Sequence, residues 1–369
     1  IGYPRRLGMA ALSTRPSAAA EPPSTPVKAS PPAKTRPRRK PWLKHPSDVR
    51  SLIFLATYFA LMAVQWRHDA ALFASGPLGW LTCLILWLAQ LWFAAIAAVV
   101  NHNALHVPMF NSQTLQRLLQ LAISVACAQP ASVYQPAHNR SHHRHAGTTK
   151  DVFRASKMRF ERNWMNMLLA REYTPGQSTG VALCLGYYWA QAKAGIWAPV
   201  VTVVVEFLFV HMVLLASLWF SVRRAILYVI IPQQTAVSFI TFINYCQHDG
   251  CDVDPKQEGV NFARNFTGWW FNFWTMNNGY HTVHHLKPGL HWSVLPEKHA
   301  RIVKPRMHPS LDEPCFRRYL WRAMWVREDY MGQPVVLPPA EQDKDELIDF
   351  SRALSTSHGL DGFENEEPM

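Results

Sequence analysis

Four long apolar runs, separated by polar stretches, divide this chain into membrane and non-membrane parts. The first runs from Leu52 to Trp66 and the second from Leu78 to Val100. Gly76 and Pro77 mark a turn between them. The third run, Ile196 to Phe220, is broken only by Glu206 and His211. The fourth runs from Ala225 to Tyr245, with Pro232, Gln233 and Gln234 near its start. A hydrocarbon layer of ~30 Å takes about 20 helical residues to cross, so each run suits one crossing once its flanks are counted. The pattern predicts an all-α integral membrane protein with four transmembrane helices in two hairpins. Residues 115–133 are apolar but interrupted by Gln116, Arg117, Gln120, Gln129 and Pro130, which suits an interfacial helix. Residues 136–175 are polar and basic and belong outside the bilayer, and 180–194 is weakly amphipathic.

Four crossings place residues 102–194 and 246–369 on one face, together with the N-terminus. A cap built from residues 102–194 and 246–330, with the histidines meeting beneath it, is therefore expected on that face. The basic N-terminus agrees with the positive-inside rule, whereas Arg223 and Arg224, in the connection on the other face, oppose it.

Composition sharpens the division. Hydrophobic residues make up 49% of the chain and charged ones 17%, against roughly a quarter in soluble domains. The net charge of +12 is concentrated at the start: residues 1–50 hold eleven Lys and Arg against Glu21 and Asp48. Residues 340–369 run the other way, with nine acids against Lys344 and Arg352. The expected organisation is a basic Pro/Ala/Ser-rich tail over 1–44, a membrane domain over 45–330 and an acidic tail over 331–369. The basic residues come without a nucleic-acid-binding motif, so nucleic acid is excluded as a partner. Two uses of the tail stay open: binding to anionic lipid or to a partner's acidic face, or targeting to an organelle. Its Arg-rich, acid-poor character favours the mitochondrial inner membrane over a plastid. None of the six cysteines forms a C-x-x-C pair, and several lie in apolar runs, which argues against a disulfide scaffold.

The chemistry lies in the histidines. His102-Asn-Ala-Leu-His106 comes after the second run, and His138-Asn-Arg-Ser-His142-His143 lies in the polar stretch beyond it. His281-Thr-Val-His284-His285 comes after the fourth run, whose exit carries His248 with Asn244 ahead of it. Positions i and i+4 share a helix face, so His102 and His106, or His138 and His142, are spaced to reach one ion. Adjacent His-His pairs point in two directions, so each of 142/143 and 284/285 can serve two ions. Nine imidazoles are too many for one ion and suit two, with Fe, Zn, Cu and Ni all acceptable to imidazole. Asp151, Asp249 and His145 lie beside the boxes, where they can orient the ligand rings. There is no H-E-x-x-H and no Glu-x-x-His pair, which disfavours a zinc protease and a carboxylate-bridged di-iron bundle.

This order of H-x-x-x-H, H-x-x-x-H-H and H-x-x-H-H around two membrane hairpins resembles the membrane fatty acid desaturase and hydroxylase superfamily. Asn244-Tyr-Cys-Gln-His248 is similar to that family's Asn-x-x-x-His element, and His285-Leu-Lys-Pro with Trp292 and Pro296 extends the similarity. The resemblance covers roughly residues 45–310. It implies two non-haem Fe ions held by His102, His106, His138, His142, His143, His248, His281, His284 and His285, with Asn244 contacting metal through water. It further implies that O₂ is used to oxidise a membrane lipid or acyl substrate, by desaturation or hydroxylation. No dinucleotide fingerprint and no fused cytochrome b5-like motif is present, so electrons are expected from an external donor of ferredoxin or cytochrome b5 type. A reading from another class is an accessory or structural subunit of a large organellar membrane complex, respiratory for example, with or without retained activity.

Overall fold

The computed structural model describes residues 41–148, 150–155, 164–165, 179–253 and 259–326. The expected basic tail up to residue 40 and the acidic tail over 331–369 lie outside the described residues.

Four helices are long and apolar enough to cross a membrane. Two come first, α1 (Val49–Ala74) and α2 (Gly76–His106). Next come the shorter α3 (Gln113–Ala126) and α4 (Thr179–Lys193). The second crossing pair is α5 (Trp197–Phe220) and α6 (Val222–His248). Each hairpin turns within a single residue. Ser75 joins α1 to α2, and Gly76 adopts φ +70°, a left-handed conformation that glycine takes without penalty. Ser221 joins α5 to α6 and caps the new helix by accepting from Arg224 N at 3.4 Å.

The helices outrun their apolar stretches. Leu52–Trp66 sits inside a 26-residue helix, and α2 continues past Val100 through the first histidine box. Main-chain hydrogen bonding does not stop where hydropathy does, so His102 and His106 are carried on the last turns of α2 itself. The exposed face of α5 is apolar apart from His211: Val201, Val204, Val205, Leu208, Met212, Leu215 and Trp219 recur at helical spacing. That stripe is the inverse of a soluble helix and belongs against lipid.

Polar side chains within the spans are matched to one another. Gln65 donates to Gln90 at 2.9 Å, and Gln90 donates to Tyr228 O at 2.8 Å, tying α1, α2 and α6 together. Trp87 donates to Leu227 O at 2.8 Å. Both acceptors lie in Ile226–Ile230, where α6 opens into a π turn. Asp69 is fully buried near the hairpin turns; it accepts from Arg223, lies 3.4 Å from Arg224 Nε and takes the Tyr228 hydroxyl at 2.5 Å. Arg223 and Arg224, which oppose the positive-inside rule, thus share a carboxylate from the other hairpin, which offsets one of their two charges. Glu206 accepts from the amide and hydroxyl of Ser132, both at 2.9 Å. His211 is exposed on α5 and donates to Phe207 O at 2.8 Å.

The cap lies at the opposite end from the hairpin turns. Leu43 bridges Phe110 ahead of α1. After α6 come β1 (Asn265–Phe266), α7 (Trp269–Trp274), α8 (His281–Leu286), β2 (Asp312–Glu313) and α9 (Phe316–Trp321). The strands pair in parallel, Asn265 with Asp312 and Phe266 with Glu313. They are the only strands among the described residues, so the helical class read from the sequence holds.

Candidate metal centre

Nine buried or half-buried histidines converge at the cap end of α2 and α6. They form two groups: His102, His106, His138, His143 and His284, and His142, His248, His281 and His285. Within each, one nitrogen per ring lies within 4.8 Å of every other. The two adjacent pairs split, His142 from His143 and His284 from His285, one member to each group.

His138 and His142 do not share a group, although four residues separate them. Residues Pro136–His142 form a π-helix, whose wider turn brings i and i+5 together in place of i and i+4. His138 Nε2 therefore lies 3.1 Å from His143 Nε2. The i+4 expectation for this box fails because the helix type is not α, and the same widening lets one short segment feed both groups.

Other parts of the chain hold the rings in place. Asp151 takes the Nδ1–H of His142 at 3.0 and 3.1 Å, and is itself fixed by Gly147 N at 2.9 Å and Phe153 N at 2.8 Å. His248 donates Nδ1–H to Phe262 O at 3.1 Å, and His102 Nδ1 donates to Asn103 Oδ1 at 3.3 Å. These bonds put the proton on Nδ1 and leave Nε2 as the free lone pair. For the last box, Thr282 accepts from Asn265 Nδ2 at 2.8 Å, while its own amide donates to Asn265 Oδ1 at 3.0 Å. Two residues before the box, Gly279 passes Phe266 so closely that a Cβ would stand 2.1 Å from Phe266 O. Only glycine fits there.

Arg264 does not stand out in the sequence, yet it braces the end of α6. It is buried, and it donates to Cys246 O at 2.7 Å, Asp249 O at 3.0 Å and the Tyr319 hydroxyl at 3.1 Å. A cation at a helix C-terminus meets the unpaired carbonyls and the negative end of the dipole, and here it sits next to His248. Among the other expected residues, Asn244 lies one turn before His248 and donates to Phe153 O at 3.0 Å. Asp249 gives its carbonyl to Arg264, and His145 is half-buried outside both groups. His291 and His299, which belong to neither group, are also buried.

The donor chemistry suits cations. Burial drives the imidazolium forms of His138, His143, His281, His284 and His285 well below the usual histidine range, and neighbouring rings add repulsion. Burial alone would raise the Asp151 carboxyl, but the His142 ring and the Gly147 amide outweigh it and hold it below its ordinary value. The rings are thus neutral and the carboxylate charged. His281 Nε2 lies 2.9 Å from His248 Nε2 and 3.1 Å from His285 Nε2. One N–H cannot satisfy both contacts. Two nitrogens that far apart subtend roughly a right angle at an ion about 2.0–2.1 Å from each, the usual metal–imidazole length. His106 Nε2, His142 Nε2 and His284 Nε2 are buried and have no hydrogen-bond partner among the described residues, as a ligand atom requires. Both groups are fit to hold metal.

A family model described as fatty acid desaturase matches residues 75–315 of this 369-residue chain. No curated protein matches it.

Proposed function

The chain belongs to the fatty acid desaturase family, and on that premise we propose that it is a membrane fatty acyl desaturase whose centre holds two irons. At family level it is an oxidoreductase of desaturase or hydroxylase type, set in a membrane by four apolar helices. The observation that carries the finer reading is the division of nine imidazoles into groups of five and four at the cap end of the hairpins. Irons held there supply the chemistry that reduces O₂ and removes hydrogen from an unactivated C–H bond. In this reading Asn244, one turn before His248, would contact the metal of the four-histidine group through water. Asp151 keeps His142 in the tautomer that offers Nε2. The substrate is an acyl chain in or from the bilayer, and the electrons come from a separate ferredoxin- or cytochrome b5-type donor. Desaturation is favoured over hydroxylation.

The test uses the full chain purified in detergent or kept in membranes. About two irons per chain are expected, with loss of acyl double-bond formation in His143→Ala and His285→Ala, each of which removes a ligand from a different group. Product retained by either variant, or an iron content unaffected by both, refutes the reading.

A further inference from the structure

A cleft opens beside the five-histidine group, lined by Asp48, Asn103, His106 and His284 together with His291 and Trp292. The metal reading uses the free nitrogens of His106 and His284. It leaves two buried polar atoms on the cleft's lining residues unexplained. Asp48 is 1% exposed; its Oδ1 accepts from His291 Nε2 at 3.0 Å and Trp292 Nε1 at 2.9 Å, while its Oδ2 has no partner among the described residues. Asn103 spends its Oδ1 on His102, and its Nδ2 likewise has no partner there. One atom accepts and the other donates. An unmatched buried polar atom is costly, and a buried water normally makes two to four hydrogen bonds. A water between the two would donate to Asp48 and accept from Asn103.

On the outer side, His291 is covered by His45, which is half-exposed and stacks on it with centroids 3.9 Å apart. His291 Nδ1 meets Ser293 Oγ at 2.8 Å. The charged groups around the cluster are Lys44, next to His45, and Arg50, whose guanidinium lies 4.5 Å over the Trp292 ring. A buried carboxylate–imidazole pair thus stands between a half-exposed ring and a cleft that reaches His106 and His284 of the histidine centre.

We propose that this cleft holds a water between Asp48 and Asn103, and that the Asp48–His291 pair delivers protons through it to the five-histidine group. The proton-delivery part rests on the acyl-oxidation reading. Desaturation removes two hydrogens from adjacent carbons of the chain. O₂ then leaves as two waters only if two electrons and two further protons arrive. The external donor brings the electrons, and the Asp48–His291 pair brings the protons.

Two measurements test this. In an experimental structure of the full chain fine enough to show ordered water, density is expected within hydrogen-bond reach of both Asp48 Oδ2 and Asn103 Nδ2; a dry cleft overturns the proposal. In iron-loaded protein, Asp48→Asn and His291→Gln should keep wild-type iron content while product per O₂ consumed falls at least tenfold and peroxide release rises. Formate added to Asp48→Ala should restore product, which a merely structural defect would not allow. Wild-type coupling in both Asp48→Asn and His291→Gln, each shown to be folded by its melting temperature, overturns the proton route. If iron-loaded wild type oxidises no acyl chain, the proposed function fails instead, and the water density still decides the site.

Discussion

Replacing Asp151 by Asn should weaken one metal position and spare the other. The carboxylate receives three N–H groups: His142 Nδ1 on both oxygens, Phe153 N on Oδ1 and Gly147 N on Oδ2. Asparagine turns one oxygen into an NH₂, which then faces a buried amide N–H donor to donor. One such unmatched group costs about 1–3 kcal/mol of folding stability. The His142 ring also loses a charged partner. Removing the group that orients a ligand histidine typically lowers metal affinity 10- to 100-fold, or about 1.4–2.7 kcal/mol. The loss should fall on the four-histidine group, because His142 belongs to it and Asp151 bonds none of the other eight rings among the described contacts. Stepwise titration of metal-free protein with Co(II), tracked by its visible absorption, resolves the two positions. Weakening of one step with the other unchanged is expected. Equal weakening of both steps, or none, refutes the claim that Asp151 acts through His142.

Arg264→Met should lower stability by roughly 2–4 kcal/mol, since it removes charge-assisted bonds to two helix-end carbonyls and a tyrosine; a thermal midpoint within about 1 °C of wild type would refute the bracing role. Asp69→Asn should cost about 1–3 kcal/mol by loosening Arg223, Arg224 and Tyr228, read from the same melting curves, and an unchanged midpoint would count against the far-face tie. Metal-free protein should lose stability as pH falls below ~6.5. The unfolded chain then binds protons that the neutral histidines of the fold refuse, and each contributes a slope of at most about 1.4 kcal/mol per pH unit. Above that pH these groups contribute no slope, so a stability that rises on acidification from about pH 7 to 5 would contradict their neutral burial.

Much of the fold and centre is legible in the chain, and the limits have physical causes. The four crossings can be read because apolar runs of that length have few uses other than spanning a bilayer. The nine histidines singled out in the sequence are the nine drawn together, because the boxes lie at the end of α2 or α6 or in the segments that follow them, and both helices end on the same face. How they divide is only partly legible. Adjacent histidines have to point apart, but the pairing of His138 with His143 depends on a π-helix, and nothing in Pro136–His142 announces one. The partners hardest to foresee are those joined across long stretches of sequence. Asp48 meets His291 and Trp292 more than 240 residues away, and Arg264 reads as an ordinary basic residue until it is found buried against the end of α6. Arg223 and Arg224 read as an orientation conflict in sequence because only the fold brings Asp69, on the other hairpin, to them.

The two ends of the membrane domain are mechanically linked. Midway along the spans, Gln90 of α2 bonds Tyr228 O of α6, and nearer the turns Asp69 takes the Tyr228 hydroxyl and both arginines. These bonds set the height of one hairpin against the other. In a bilayer they hold firmly, because no water competes for the freed groups. From Gln90 to His102 is about 18 Å along α2 at roughly 1.5 Å per residue. A slip by one residue between α2 and α6 would therefore displace His102 and His106 from His248, at the end of α6, by about 1.5 Å, and rotate them by roughly 100°. His248 Nε2, 2.9 Å from His281 Nε2, leaves little room for such a shift. The polar contacts between the hairpins, remote from any histidine of the centre, thus set the register in which the rings of α2 meet the ring at the end of α6.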